Sequence, residues 1–477
     1  MLKLLLVKII YQNQGLRLRL FITLLTVSLL GVAIFPVVAQ SSNLASGPIY
    51  IVKQGDSLNE IAIRFGLSAE EIQTANGIDD PNSLFIGQNL LIPGLEGVTG
   101  ILTSEVLPLG ISLNNLSRQY QVDIGDLVTL NRLTSPSEII AGVSFILPIN
   151  DSQSQQPIAT PPPGASALET AIRSGISPWV LVESNQLLST WDMLPGEILF
   201  TNQELGPNNS SIVPYVDISV NQLPIVQGET LHITISTLKP MKISGDFNGE
   251  TLSFFSENDN EYHSFHGIHA LAEPGVYLFE IRAEGTDGTL LNIDQLVLLA
   301  SGLYGKEWVR IDDTTYLDEE KIAEEDAYLQ PILDRITTTR HWEGQFLYPI
   351  DEPCLSSPFG LRRDYNDGLF FYYHTGLDFR VCAQNLNIYA PAAGVVILAE
   401  EMFTFGNAVY IDHGWGVISG YAHLEEILVE VGDIVQPREL IGIIGNTGRS
   451  AGPHLHFEIT ISGTPVNPLT WINQTFP

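Results

Sequence analysis

The chain has 477 residues, 44% of them hydrophobic, which suffices for several packed domains and excludes a chain that is disordered throughout. Its 54 acidic and 22 basic residues give a net charge of −32, so the surface would repel nucleic-acid phosphates and nucleic acid is not an expected partner. Two cysteines are too few for a disulfide-dense miniprotein or a cysteine-rich zinc scaffold.

Residues 1–39 differ from the rest because they contain basic residues and no acid, and because residues 20–35 form an apolar run. The basic residues are Lys3, Lys8, Arg17 and Arg19. This order predicts a signal peptide for export. Alternatively, the segment is an uncleaved anchor in the inner membrane, because the apolar run approaches spanning length. Both interpretations place the rest of the chain outside the cytoplasm, in the periplasm or cell envelope or secreted.

A repeat follows, in which nine positions of one segment recur 55 residues later. The paired positions are Leu58, Ile61, Phe65, Leu67, Ile72, Asn76, Gly87, Ile92 and Pro93 with Leu113, Leu116, Tyr120, Val122, Leu127, Asn131, Gly142, Leu147 and Pro148. A third, weaker copy starts at Leu168 and includes Asn185. Each copy predicts a strand, two helices and a strand.

The first copy carries a local signal for each of these elements. Two short apolar runs predict the outer strands, residues 50–52 and 90–92. Ser57 with Glu60, and Ser68 with Glu71, have the spacing of capping boxes at the start of two helices. Gly66 is expected to end the first helix.

The sequence YIVKQGDSLNEIAIRFGLSAEEIQTANG, followed by IGQNLLIPG, resembles the LysM domain over residues 49–94. The resemblance implies a βααβ fold that binds glycans containing N-acetylglucosamine, such as peptidoglycan. The second copy, residues 106–149, lacks the opening Tyr-Ile-Val strand and the Gly-Asp turn, and the third, residues 166–202, has diverged further. These two copies are either further LysM modules or spacers.

Residues 150–165 are polar and rich in proline, which predicts a semi-rigid linker. Residues 212–301 alternate in hydrophobicity between turn residues, which predicts an all-β immunoglobulin-like sandwich of roughly seven strands. The predicted strands include residues 231–236, 241–247, 251–255, 277–282 and 293–299. Residues 302–345 form an acidic connector, with a helix expected over residues 317–336.

Three motifs near the end of the chain contain four of its ten histidines. They are His374-Thr375-Gly376-Leu377-Asp378, Tyr421-Ala422-His423-Leu424 and Gly452-Pro453-His454-Leu455-His456-Phe457-Glu458. Catalytic zinc takes three nitrogen or oxygen ligands and leaves one position for water. A His-x-His pair places two imidazoles on one face of a strand, so that one can bind metal while the other faces substrate. Leu455 and Phe457 are then expected to point into the core.

Such a set of residues suits hydrolysis. The metal would lower the pKa of water and polarise the scissile carbonyl, while unligated imidazoles transfer protons and hold an oxyanion. Any single histidine in a chain of this length is more often structural than catalytic or metal-binding. Three histidine motifs in this order in an exported chain are hard to obtain by chance.

Residues 347–471 resemble the lysostaphin-type (LytM-type) zinc metalloendopeptidases of peptidoglycan. The resemblance rests on the segments SPFGLRR, HTGLDF, YAPAAGVV, GNAVYIDHGWGVISGYAHL and IIGNTGRSAGPHLHFEI. It implies a mainly antiparallel β domain, residues 346–477, that uses Zn²⁺. Carried over by position, the zinc ligands are His374, Asp378 and His456, and the catalytic histidines are His423 and His454.

Three further polar groups of this domain have weaker signals. Cys354 and Cys382 are expected to form a disulfide in an oxidising compartment, the alternative being two buried free thiols. His413 is expected to support a hairpin, and Asn407 is a candidate for the wall of the substrate groove. In the sandwich, His263, His266 and His269 do not alternate onto one strand face and are interpreted as structural.

The sequence therefore predicts a multidomain, exported zinc metallopeptidase that is tethered to cell-wall glycan by LysM modules and cleaves peptide stems or cross-bridges of peptidoglycan. The alternative is a non-catalytic or autoinhibited cell-wall-binding regulator that activates another peptidoglycan hydrolase. A third possibility is a wall-anchored spacer, which would leave the histidine motifs without a purpose.

Overall fold

The computed structural model describes residues 47–95, 98, 100–135, 138–149, 156–159, 166–189, 198–201 and 216–477. The predicted signal peptide or anchor, residues 1–39, lies outside these residues. Within the described ranges, the structure contains no helix with both the length and the hydropathy needed to cross a membrane. The chain forms two compact units, Met1–Ile101 and Leu102–Pro477.

The first repeat copy folds as a strand, two helices and a strand. Its elements are β1 Ile49–Ile51, α1 Leu58–Phe65, α2 Ala69–Asn76 and β2 Asn89–Leu91, and β1 pairs with β2 in antiparallel register. Both predicted capping boxes are present, since the Ser57 hydroxyl accepts from the Glu60 amide while the Glu60 carboxylate accepts from the Ser57 amide. Gly66 ends α1 at φ 62°, where a residue with a side chain would be strained.

The second copy has an opening strand after all. Its elements are β3 Ile101–Val106, α3 Leu113–Tyr120, α4 Ile124–Asn131 and β4 Ser144–Ile149, and β3 lies beside β4. The expectation that this copy lacks its first strand is wrong because the different run ILTSEV, with buried Leu102 and Thr103, forms it. A strand requires half-buried β-branched or apolar residues rather than one particular motif.

The third copy has the same order of elements. They are β5 Gln156–Ala159, α5 Ala167–Ser174, α6 Pro178–Ser184 and β6 Leu199–Thr201, and β5 pairs with β6. Strand β5 falls within the segment predicted as a proline-rich linker. Pro157 is tolerated there because β5 is the edge of a two-stranded sheet.

One asparagine in each copy explains why this residue recurs. The Asn76 amide donates to the carbonyls of Ile72 and Leu91, and its side-chain oxygen accepts from the Leu91 amide. Asn131 and Asn185 make the same three hydrogen bonds, each to the residue four positions earlier and to the last strand of its own copy. The asparagine thus joins the end of the second helix to the closing strand.

The following region contains two β-sheets packed face to face. Its strands are β7 Val216–Val220, β8 Ile225–Val226, β9 Thr230–Thr237, β10 Met241–Phe247, β11 Glu250–Leu252, β12 Phe255–Asn258, β13 Glu261–Gly267, β14 Gly275–Gly285 and β15 Leu290–Ala300. One sheet has the order β11-β10-β14-β15-β8 and the other β12-β13-β9-β7. The single strand predicted over residues 251–255 is wrong, because the chain changes sheets between β11 and β12.

A connector leads from this region to the last domain. Strand β16 Lys306–Val309 is followed by α7 Glu319–Leu333, which matches the helix expected in the acidic segment. One of its acids is not a solvated surface group: Glu325 is buried, and both of its carboxylate oxygens accept from the Thr404 amide at 2.9 Å. Helix α7 therefore holds the loop that contains Thr404.

The C-terminal region is mainly antiparallel β structure. Its elements are β17 Cys354–Ser357, β18 Arg362–Tyr365, β19 Phe370–Tyr373, β20 Leu377–Arg380, β21 Asn387–Tyr389, β22 Gly394–Met402, β23 Gly406–Gly414, β24 Val417–Ile427, β25 Ile434–Val435, β26 Leu440–Ile444, β27 His454–Ile461, β28 Thr464–Val466 and α8 Pro468–Asn473. The main sheet has the order β17-β20-β27-β24-β23-β22-β25. Strands β16, β18 and β19 form a separate small sheet.

An aromatic cluster joins the two-sheet region to the C-terminal region. The ring of Phe265 in β13 lies 6.0 Å from Trp342, 6.3 Å from Trp415 and 5.5 Å from Trp471, measured between centroids. None of these four rings is more than 3% exposed. The Trp471 indole also donates to the Thr230 hydroxyl at 2.9 Å. The C-terminal region therefore completes its core only with the two-sheet region in place.

Candidate active site

His374, Asp378 and His456 meet at one point of the main sheet. His374 Nε2 lies 2.9 Å from Asp378 Oδ1 and 3.1 Å from His456 Nδ1, and His456 Nδ1 lies 2.8 Å from Asp378 Oδ1. All three side chains are buried. Among the described residues, this is the one group of three or more acids, histidines or cysteines with its donor atoms this close together.

Strand register produces this meeting. Asp378 of β20 lies directly opposite His456 of β27, so their side chains share one face of the sheet. His374 precedes β20 and is fixed through its backbone amide, which donates to the Leu361 carbonyl. As expected from the two-residue period, Leu455 and Phe457 point to the other face and are fully buried in the core.

The outer nitrogen of each imidazole is held by an acceptor, which fixes the tautomer. His374 Nδ1 donates to the Pro358 carbonyl at 2.8 Å, and His456 Nε2 donates to the Glu458 carboxylate at 2.7 Å. Since a carbonyl or carboxylate oxygen accepts only, these nitrogens carry the protons. The inner nitrogens, His374 Nε2 and His456 Nδ1, face Asp378 Oδ1, where a metal ion would take the place of the proton that His456 holds.

Electrostatics at this point favour a positive charge. Burial by itself would raise the pKa of Asp378, but the charges and hydrogen bonds of His374 and His456 outweigh it and hold the pKa well below its usual range. Burial would lower the pKa of His456, whereas hydrogen bonds to Asp378 and Glu458 raise it to about 9. The carboxylates therefore stabilise a cation between these side chains.

The three residues fit a metal ion. Their donor atoms form a triangle with edges of 2.8 to 3.1 Å. A tetrahedral site with bonds of about 2.0–2.1 Å has edges of roughly 3.3 Å, so the side chains need to move by only a few tenths of an ångström. The inward lone pairs and the buried carboxylate supply the donors that a divalent ion needs.

His423 and His454 lie beside this triangle. Their ring centroids are 4.8 Å apart, and the ring of His423 lies 6.0 Å from that of His456. His423 Nδ1 donates to the Thr447 carbonyl, and His454 Nδ1 donates to the Gly452 carbonyl. The Nε2 of each ring therefore has no backbone partner in this arrangement, and that of His454 lies 3.6 Å from Asp378 Oδ1. Burial and the neighbouring histidines hold the pKa of His423 well below its usual range, so its ring is neutral.

Two charged residues that support the triangle were not predicted from the sequence. Arg363 of β18 donates to Asp378 Oδ2 at 2.5 Å and to Glu307 Oε2 at 2.9 Å. Glu458 holds His456 and also accepts from the Thr375 hydroxyl. The two-residue period of β27 already puts Glu458 on the face of His456, but no local pattern points to Arg363.

A small cavity of about 40 Å³ opens beside the histidines. It is lined by Arg363, Tyr365, Tyr372, Tyr373, His374, Thr375, Thr404, Phe405, His423, Arg449 and His456. Its wall therefore comes from the β18–β19 hairpin, from strands β24 and β27 and from three loops, one of which is held by Glu325 of α7.

The remaining polar candidates are structural. The Asn407 amide donates to the carbonyls of Leu424 and Glu425, so it joins neighbouring strands and is not among the residues that line the cavity. His263 contacts His232, His266 lies 3.5 Å from Glu250, and His269 lies 3.2 Å from the Tyr373 hydroxyl. The predicted disulfide between Cys354 and Cys382 is present.

His413 supports its hairpin from a fully buried position. Its Nδ1 donates to the Ala393 carbonyl at 2.7 Å, and its Nε2 accepts from the Ser419 hydroxyl at 2.8 Å. Burial lowers the pKa of His413 to about 4, so the folded protein keeps this ring neutral at pH values where the unfolded chain protonates it.

The His413 contribution to stability is therefore expected to be complete above pH 6.5 and to be lost as the pH falls towards 4. Between pH 7 and 4.5 the free energy of unfolding should fall by about 2–3 kcal/mol through this residue. Urea titrations of the wild type and His413→Asn at both pH values measure this difference. Parallel pH profiles for the two proteins would contradict it.

Comparisons with known proteins relate two parts of this chain to known families. Residues 372–468 match the model of peptidase family M23, and residues 50–93 and 112–148 match that of the LysM domain. The DD-carboxypeptidase/endopeptidase Mpg of Neisseria meningitidis is 42% identical over 128 residues, which cover 27% of this chain and 29% of that protein. The peptidoglycan DD-endopeptidase ShyA of Vibrio cholerae is 35% identical over 148 residues, covering 28% of this chain and 34% of that protein.

The chain thus spans about a third of the length of these curated relatives. Among solved structures, the catalytic domain of lysostaphin from Staphylococcus simulans is 26% identical, with 28% of this chain and 90% of that chain covered and a TM-score of 0.21. The matched M23 segment contains all five histidine and aspartate residues described above, and it begins with β19 and ends at α8. The chain therefore contains a peptidase family M23 domain and two LysM domains.

Proposed function

We propose that this protein is a cell-wall hydrolase, a zinc-dependent endopeptidase that cleaves peptide bonds in the stems or cross-bridges of peptidoglycan. The observation that carries the proposal is that the donor atoms of His374, Asp378 and His456 meet at one buried point, with the rings of His423 and His454 beside it. The regulator without activity is not favoured, because a protein that only recruits another enzyme needs no such donor set.

In this proposal the metal site consists of His374, Asp378 and His456. Two imidazole nitrogens and one carboxylate oxygen suit zinc, which when bound supplies Lewis acidity that polarises the scissile carbonyl and makes water acidic. Arg363 keeps the Asp378 carboxylate in position through Oδ2, which leaves Oδ1 for the metal.

His423 and His454 are the residues that would transfer protons and bind the oxyanion. Each has an Nε2 that is free to accept a proton, because its Nδ1 is anchored to a backbone carbonyl. His454 is the more accessible of the two, with 17% of its side chain exposed, and is assigned as the general base and acid. His423 would hold the oxyanion of the tetrahedral intermediate after its Nε2 takes up a proton, which the negative charge developing beside it would favour.

The LysM domains would bind the glycan part of the same polymer. Attachment to glycan raises the effective concentration of peptide stems at the peptidase domain without any new contact at the active site. We assign the two-sheet region as an immunoglobulin-like domain. The role of the LysM domains is the same if this domain and the third repeat copy bind glycan or if they act as spacers.

This function requires the protein to work in the cell envelope. The disulfide between Cys354 and Cys382 supports export to an oxidising compartment. The predicted signal peptide would bring the chain there.

The full-length protein is expected to bind about one zinc ion per chain and to release soluble peptides from purified peptidoglycan. Chelation should remove both the zinc and the activity, and added zinc should restore them, since the ion would be held only by the coordinate bonds of three side chains that persist in the folded protein. Elemental analysis and mass spectrometry of the released fragments measure the two properties. Zinc-loaded protein that releases no fragment from any peptidoglycan would contradict the proposal.

A further inference from the structure

Arg449 presents an unpaired guanidinium group at the cavity beside the candidate metal centre. It lines this cavity together with three of the histidines. Its Nη1 is buried and has no hydrogen-bond partner. Among the ion pairs of the described residues, which include those of Arg340, Arg363 and Arg438, none involves Arg449.

The other partly buried arginines of the C-terminal region and its connector are hydrogen-bonded to carboxylates or carbonyls. Arg363 pairs with Asp378 and Glu307, and Arg340 donates to both carboxylate oxygens of Glu257. These residues follow the general rule that a buried charge is paired. An unpaired buried charge loses its hydration without gaining an ion pair or a hydrogen bond. Arg449 departs from this rule in a chain whose net charge is −32.

Aromatic rings hold the Arg449 side chain in place. Its guanidinium carbon lies 5.1 Å from the ring centre of Tyr365, 5.5 Å from that of Phe370 and 5.9 Å from that of Tyr372. Its backbone amide donates to the Thr404 carbonyl at 2.8 Å. Stacking occupies the faces of a guanidinium and leaves its N–H edge available for a planar anion such as a carboxylate.

The acids around the cavity do not neutralise Arg449. Asp378 and Glu458 are engaged by His374 and His456. Burial raises the pKa of Asp326 in α7, and the positive charge of Arg449 opposes this rise only in part. Asp326 forms no ion pair with Arg449. A positive charge thus remains for a ligand.

The size of the cavity limits what that ligand can be. One water molecule needs a cavity of about 10–15 Å³. The volume of about 40 Å³ therefore has room for roughly three non-hydrogen atoms, which is the size of a carboxylate group.

We propose that Arg449 is a specificity residue that binds a carboxylate of the peptide stem next to the scissile bond. The proposal rests on the proposed function, because a peptide stem supplies such carboxylates at its C-terminus and on acidic side chains. A bidentate hydrogen-bonded pair with Arg449 would select substrates that carry the free acid over those that carry an amide at the same position.

The test uses the zinc-loaded, full-length protein and synthetic stem peptides. Each peptide is prepared with its terminal and side-chain carboxylates free and with each one converted to an amide. For one of these positions we expect the wild type to favour the free acid by about 10- to 100-fold in kcat/KM, mainly through KM, as for the loss of a charged hydrogen bond. In Arg449→Gln this ratio should fall to near one, and in Arg449→Lys it should be intermediate, while zinc content stays unchanged.

Arg438→Gln is the matched control. Arg438 also stacks on a ring, that of Tyr389 at 4.0 Å, but it is paired with Asp351 and does not line the cavity. The ratio of acid to amide peptide should keep its wild-type value in this variant.

Three results would overturn the proposal. A wild type that cleaves acid and amide peptides equally has no carboxylate site, and an Arg449→Gln variant that keeps the ratio places the site elsewhere. An equal loss of kcat/KM on acid and amide peptides in both Arg449→Gln and Arg449→Lys would show that the Arg449 side chain only supports the β18–β19 hairpin. Failure of the proposed function differs from these, because the zinc-loaded wild type would then cleave no peptide at all.

Discussion

His374→Ala is expected to abolish both stoichiometric zinc binding and peptide hydrolysis. The variant removes one of three donors whose mutual distances are 2.8 to 3.1 Å, and alanine offers no replacement. Loss of a group that merely orients a ligand already costs about 10- to 100-fold in metal affinity, so loss of a ligand itself should cost more. Removing the ring also leaves the Pro358 carbonyl without its donor.

Elemental analysis of the purified full-length variant measures the zinc, and release of fragments from peptidoglycan measures the activity. His341→Ala is the control, because His341 belongs to the preceding connector and is not one of the three residues of the triangle. Near-stoichiometric zinc in His374→Ala would show that the metal site lies elsewhere, even if activity were lost through some other defect.

His454→Ala is expected to keep its zinc and to lower hydrolysis by about 10²- to 10⁴-fold, the usual range for a general acid or base. His454 donates no atom to the triangle, since its Nε2 lies 3.6 Å from Asp378 Oδ1 and its Nδ1 is bonded to the Gly452 carbonyl. Its removal should therefore affect proton transfer rather than metal binding.

The contrast between the two variants separates binding from catalysis. Zinc content and kcat are measured on the same preparations of the wild type, His454→Ala and His423→Ala. His423→Ala should also keep its zinc, because His423 is held by the Thr447 carbonyl and lies outside the triangle. If His454→Ala retained full activity, the general base would have to be another group.

Much of the fold follows from short stretches of sequence. Capping boxes at Ser57 and Ser68 and the glycine at position 66 act within one helical turn, so their hydrogen bonds were predictable without knowledge of the rest of the molecule. The placement of Leu455 and Phe457 in the core is equally local, because it depends on the two-residue period of a strand.

Other features became visible only in three dimensions. The first strand of the second copy and the strand within the proline-rich segment contain few residues, and their partners lie about 40 residues away, so their own sequences carry little signal. Likewise, the sequence does not distinguish Glu325, which is buried and accepts from the Thr404 amide, from the exposed acids of α7. In each case the deciding contact joins parts of the chain that local patterns do not relate.

The sequence by itself determined which residue types could form the site: the motifs with His374, Asp378, His423, His454 and His456 supply the donors that metal-assisted hydrolysis needs. Their catalytic roles stay a prediction. Only the tertiary structure decided the geometry, because the register of β20 against β27 sets Asp378 opposite His456 across 78 positions of the chain. The same folding of distant strands brings Arg363 to Asp378 and leaves Arg449 without a partner, since packing and strand pairing, not local periodicity, determine which charges meet.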